Sequence, residues 1–127
     1  MRTDDGRYFE EYTFNNYIAI GWNNISLYEL RNNKYEDSIR SKLLDSEKLD
    51  INDPNTKGKI TGIINKLHAF DNLKKGDVIL VPSKGSQRIA FEVIKTGVTI
   101  VKENVDSCEY LKRKEVIYLL KMIMFIM

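Results

Sequence analysis

Eighteen carboxylates are the first place to look for chemistry, and none of them has a lysine two positions further on. A restriction-type nuclease needs that pair: the carboxylate holds a metal ion, and the lysine helps activate water at the scissile phosphate. The nearest approach is Glu92-Val93-Ile94-Lys95, a spacing that puts the two side chains on opposite faces of a strand. His68, the single histidine, falls near the end of a helical pattern whose other apolar positions are core, so it reads as a packed or capping residue. Cys108, the single cysteine, is flanked by Asp106 and Glu109, negative charges that oppose a reactive thiolate. One cysteine and one histidine exclude both an internal disulfide and a closed Cys/His zinc site. Lys84-Gly85-Ser86 lacks the spaced glycine, preceding strand and following helix of a phosphate-binding loop. The chain therefore reads as a binding protein and not an enzyme, with no metal and no cofactor.

The elements that would position a binding site form one α+β domain with its helices in the middle. Tyr8 to Thr13 alternates and predicts a strand, with Asn15-Asn16 as a turn. Tyr17-Ile18-Ala19-Ile20 predicts a fully buried strand that leaves the sheet at Gly21-Trp22-Asn23-Asn24. Ser26 and Glu29 have the spacing of a capping box, which predicts a short helix to about Leu30. A second helix is expected over Lys34 to Leu44. A third is expected from an Asp53-Pro54 cap to about Phe70, with Ile60, Ile63, Ile64 and Leu67 at helical spacing. Gly58 and Gly62 either weaken that helix or permit close packing. Beyond Gly76 the pattern returns to strands: a buried Val78 to Val81, then Arg88 to Ile94, Val98 to Lys102 and about Tyr110 to Leu119.

At 127 residues, with 43% hydrophobic and 30% charged content, the chain is long enough for one globular domain. No segment has the form of a signal peptide, and the apolar stretch 122–127 is too short to span a bilayer. A cytoplasmic setting with no membrane partner is expected. Residues 1–63 hold nine basic and eleven acidic side chains, and residues 64–127 hold eleven and seven. The second half is thus the one suited to meet a polyanion.

Two blocks carry a family resemblance. One is Arg2-Thr3-Asp4-Asp5-Gly6-Arg7-Tyr8 followed by Tyr17-Ile18-Ala19-Ile20-Gly21-Trp22-Asn23. The other is Lys75-Gly76-Asp77-Val78-Ile79-Leu80-Val81-Pro82-Ser83-Lys84 with Arg88-Ile89-Ala90-Phe91-Glu92-Val93. In this order, around a helical segment, the chain resembles the N-terminal domain of Mrr-type restriction systems, itself similar to the PUA-like EVE and YTH modules. The resemblance implies a curved, β-barrel-like sheet with a helical insert, a PUA-like base-reading domain over residues 1–121 and an apolar tail over 122–127. It implies a DNA-binding sensor that recognises a modified base, in a prokaryotic or phage defence setting. That task needs an aromatic wall, polar groups for the base edge and cations for phosphate. Trp22 would be the wall, with Tyr8 and Phe9 as further stacking residues. Asn23 and Ser83 would read the edge, and Lys84 and Arg88 would meet phosphate. The Gly21–Asn24 turn is then expected beside the Pro82–Ser86 loop. Because no nuclease domain follows and the tail is apolar, the sensor is expected to act with a separate nuclease or effector. The alternatives are a protein-interaction module and a free-nucleotide sensor.

Overall fold

The computed structural model describes residues 8–83, 88–102, 106 and 108–123, and of these the side chains of all but Glu10 and residues 118–123. The chain is a mixture of helices and a curled antiparallel sheet. It divides into two compact units, one formed by residues 1–21 with 73–127 and the other by residues 22–72.

The first unit holds a helix, α1 (Phe9–Asn15), and strands β1 (Tyr17–Ile20), β2 (Val78–Pro82), β3 (Arg88–Ile94), β4 (Thr99–Ile100) and β5 (Lys112–Ile123). The expected first strand is α1 instead. Tyr8 and Tyr12 stand one helical turn apart with ring centroids 5.9 Å from each other. Phe9 and Tyr12, three residues apart, are both buried. The four-residue spacing of Tyr8 and Tyr12 serves a helix face as well as a strand's alternation, whereas the burial of both Phe9 and Tyr12 fits one face of a helix only. Asn16, read as a hairpin turn, is the helix stop: it takes the left-handed conformation at φ 58°, and its N–H donates to the Tyr12 carbonyl.

The sheet runs β1-β5-β3-β2, with β4 also on β5, and every pairing is antiparallel. β5 is its long member. Lys112 to Glu115 pair with β1, and Val116 to Ile123 pair with β3. The strand therefore runs past the expected end at Leu119 and takes Met122 and Ile123 out of the presumptive tail into register with Ile89 and Arg88. Residues 124–127 lie outside the described set. One face of the sheet carries Ile18, Ile79, Val81, Ala90, Glu92, Ile94 and Val116, all buried. β2 departs from expectation. It is not a fully buried run, because as the edge strand it buries Ile79 and Val81 while Val78 and Leu80 stay 60% and 45% exposed.

The second unit holds α2 (Leu27–Leu30), a 3₁₀ turn at Asn33–Tyr35, α3 (Glu36–Ser46) and α4 (Thr56–Asn72). The capping box forms as expected. The Glu29 N–H donates to Ser26 Oγ at 3.1 Å, and the Ser26 N–H donates back to Glu29 Oε1 at 3.3 Å. α4 begins at Thr56, later than expected: the Thr56 N–H still closes a turn on the Asp53 carbonyl at 3.1 Å, and the i to i+4 bonding begins with the Lys59 N–H donating to the Asn55 carbonyl at 3.1 Å. Ile60, Ile64, Leu67 and Phe70 form its buried face. A Cβ added at Gly58 or Gly62 would meet nothing within 4 Å, so close packing is not why either glycine is there. Among the described residues, no helix is long and apolar enough to cross a membrane.

Candidate binding cleft

A cleft of about 550 Å³ opens over the N-terminal half of β5. Three features of the local sequence build it. The left-handed Asn16 ends α1 and turns the chain directly into β1, its carbonyl accepting from the Val116 N–H at 3.0 Å. This sets Asn15, Asn16 and Tyr17 along one side. At the end of β3, the Lys95 N–H donates to the Glu115 carbonyl at 2.9 Å, and Lys95, Thr99 and Val101 form the other side. Between them, β5 presents Arg113, Glu115 and Ile117, alternate residues that share a face.

Arg113 is the fixed point of this arrangement. It is 5% exposed, and its guanidinium lies over the Tyr17 ring, 4.3 Å from the centroid. Both terminal nitrogens donate to the Asp106 carboxylate, one at 2.7 Å. Nε donates to the Tyr110 carbonyl at 2.9 Å, and Nη2 also reaches the Cys108 carbonyl at 3.1 Å. This is the pairing a buried cation requires. Hydrogen bonding from Arg113 holds the Asp106 carboxyl below its ordinary range, and the same contact raises Arg113 further. Burial pushes the Tyr17 and Tyr12 phenols up, so both are neutral hydroxyls near neutral pH. The Tyr17 hydroxyl donates to Glu11 at 3.3 Å, and the Tyr12 hydroxyl donates to the Ala19 carbonyl at 3.3 Å.

The cleft thus combines a rigid floor, the buried Arg113–Tyr17 pair, with side-chain amides and a hydroxyl for hydrogen bonding, an exposed ammonium at Lys95 and an exposed carboxylate at Glu115. Its volume suits a small planar ligand. Among the described residues, no three His, Cys, Asp or Glu side chains are grouped to hold a metal ion.

The residues singled out from sequence are distributed differently. Ser83, Arg88 and Phe9 come together in the sheet unit. Ser83 Oγ accepts from the Arg88 N–H at 3.0 Å, closing the β2–β3 connection, and the Arg88 guanidinium lies 5.1 Å from the Phe9 ring centroid. Ser83 is 5% exposed, Tyr8 5% and Phe9 1%. Rings so enclosed have no open face for a base: Tyr8 packs against Tyr12 and, edge to face, against Tyr110. Trp22 and Asn23 belong to the helical unit. Trp22 is half-buried with a left-handed φ of 58°, and its indole N–H donates to Glu47 at 2.8 Å. Asn23 is exposed. Lys84, with the tip of the Pro82–Ser86 loop, lies outside the described residues.

None of the cleft's own residues had been singled out for binding. A signal for Arg113 was present, since Lys112-Arg113-Lys114 places three adjacent cations at the start of a strand whose later residues are mostly apolar. Charges in such a place need built partners. All three are buried, with Lys114 Nζ donating to the Leu73 carbonyl. Comparison of the chain with protein-family models, with curated proteins and with solved structures finds no match.

Proposed function

We propose that this protein is a nucleic-acid-binding sensor of PUA-like type, whose sheet unit accepts a base in the cleft over β5. The observation that carries this reading is the cleft's composition: amides from Asn15 and Asn16, the Thr99 hydroxyl and the exposed apolar side chain of Ile117, on a floor made rigid by the buried Arg113–Tyr17 pair, with Lys95 on the rim. A flipped or unpaired base needs a flat apolar surface, hydrogen-bond partners for its edge and a cation for the adjoining phosphate. The role is binding and not catalysis. Defence against foreign DNA through a separate effector, with a modified base as the mark that is read, is the setting the reading favours.

The test is fluorescence anisotropy with labelled 12-mer DNA, single-stranded and duplex, carrying cytosine or a methylated cytosine. Micromolar, salt-sensitive binding that Lys95→Ala and Asn16→Ala both weaken supports the reading. Binding that neither variant changes would overturn the cleft assignment, and absence of binding would overturn the function.

A second reading, a protein-interaction module, has its own observation. Val78, Val93 and Ile117 stand opposite one another across β2, β3 and β5. Val78 and Ile117 are 60% and 50% exposed, an apolar row on a sheet face next to an edge strand.

A further inference from the structure

We propose that the Tyr28–Tyr35 pair of the helical unit, with Lys34 beside it, is a stacking site for an unpaired nucleobase. The ligand class rests on the nucleic-acid reading above, but the surface is separate from the cleft over β5 and none of its residues lines that cleft.

Tyr28 is 63% exposed on α2. A lone exposed tyrosine is ordinary, and three features set this one apart. First, its ring is held. Tyr35, half-buried at the end of the 3₁₀ turn, packs on it with centroids 5.3 Å apart and planes inclined at 50°. The Tyr35 hydroxyl donates to the Tyr28 hydroxyl at 3.5 Å. A ring already fixed by a neighbour loses little freedom when a ligand stacks on it. Second, a cation adjoins the pair, because Lys34 Nζ lies 5.1 Å from the Tyr35 ring centroid. Third, the nearest acids are mostly neutralised. Glu29, next to Tyr28 in the chain, receives Lys42 Nζ on both oxygens at 2.7 and 2.8 Å and Ser38 Oγ at 3.3 Å. Glu36 draws Arg40 at 3.4 Å. Asp37, exposed two residues beyond Tyr35, is the opposing charge that stays. Asn32 and the exposed Asn33 lie between the two tyrosines in sequence, amides of the kind that read a base edge.

Stacking face, edge-reading amides and a phosphate cation thus come from eight consecutive residues, Tyr28 to Tyr35. The Tyr28 ring is exposed rather than enclosed, so it suits a base already outside a helix. Bases in a duplex have both faces covered by their neighbours.

The experiment uses the full chain and a fluorescein-labelled 12-nucleotide single strand, with the matching duplex as comparison. Tyr28→Ala is expected to weaken single-strand binding by about five-fold or more, from the range known for base–aromatic stacking. Tyr28→Phe keeps the ring and is expected to stay within about two-fold of the parent. The duplex should be unaffected, and an unchanged melting temperature shows that folding survives. Lys95→Ala separates the two sites. If Lys95→Ala weakens binding and Tyr28→Ala does not, this proposal falls while the cleft reading stands. If Tyr28→Ala alone weakens it, the proposal stands without the cleft. Equal losses for single strand and duplex on Tyr28→Ala would overturn the preference for an unpaired base, and absence of any nucleic-acid binding overturns both.

Discussion

Glu92 stands directly opposite Ile79 across the β2–β3 pair, fully buried, with no hydrogen bond to either carboxylate oxygen among the described residues. Desolvation pushes its carboxyl from the ordinary 4.5 up to about 7, because a charge there has lost water and gained no donor. The folded pKa is raised above the unfolded one. The stability tied to this proton is therefore fully present below about pH 4.5 and is lost as pH rises towards 7, beyond which it changes no further. Glu92→Gln keeps the shape and removes the titration. It should stabilise the protein at pH 8 by on the order of 2–3 kcal/mol and do little at pH 4. Thermal melts of both proteins across pH 4–8 measure this. Parallel curves would show that Glu92 finds a partner in solution.

The Asp106–Arg113 pair has the opposite sign. Asp106 titrates below its ordinary value, so its contribution is present at neutral pH and is lost as pH falls through the acid range. Asp106→Asn leaves Arg113 buried with two weaker carbonyl partners and should cost roughly 1–3 kcal/mol, measured as a shift in the urea midpoint at pH 7. Base binding should fall with it, because the guanidinium would no longer be fixed over Tyr17 beneath the cleft.

Gly62 sits inside α4 with open space where a Cβ would go. Gly62→Ala should raise stability by up to about 1 kcal/mol by restricting the unfolded chain. A lower melting temperature would reveal a contact on that face of the helix.

Lys95→Ala should do more than weaken nucleic-acid binding. If its ammonium neutralises one phosphate, the slope of log K against log salt should become shallower by about 0.9 on duplex DNA or about 0.7 on a single strand. An unchanged slope with reduced affinity would mean that Lys95 shapes the cleft without meeting the backbone.

What the amino-acid pattern revealed follows the range of the forces involved. The Ser26–Glu29 cap was legible because both partners lie within one turn of chain, and the buried β1 was legible from its unbroken apolar run. α1 was not, because Tyr8 and Tyr12 satisfy two periodicities, and that Phe9 is buried on the same side as Tyr12, which chooses the helix, is known only from the packing of the rings. β2 reads as buried in isolation, and its place at the sheet edge, a tertiary fact, exposes Val78 and Leu80. The cleft is the extreme case. Tyr17 and Arg113 meet only when β1 pairs with β5, and no local pattern links residues so far apart.

That same pairing has a consequence for biosynthesis. Tyr17 and Glu115 are register partners, yet roughly 100 positions of chain separate them, and β5 is the neighbour of β1 in the sheet. At about 5–20 residues per second of translation, a nascent chain must carry β1 for roughly 5–20 s before its partner has been made. Helices α2 to α4 emerge from the ribosome during that wait. Ile18, fully buried in the finished sheet, lacks its β5 neighbour throughout. The Tyr17–Ile20 segment is therefore where a ribosome-associated chaperone would have most to hold, and where slowed translation would most increase misassembly.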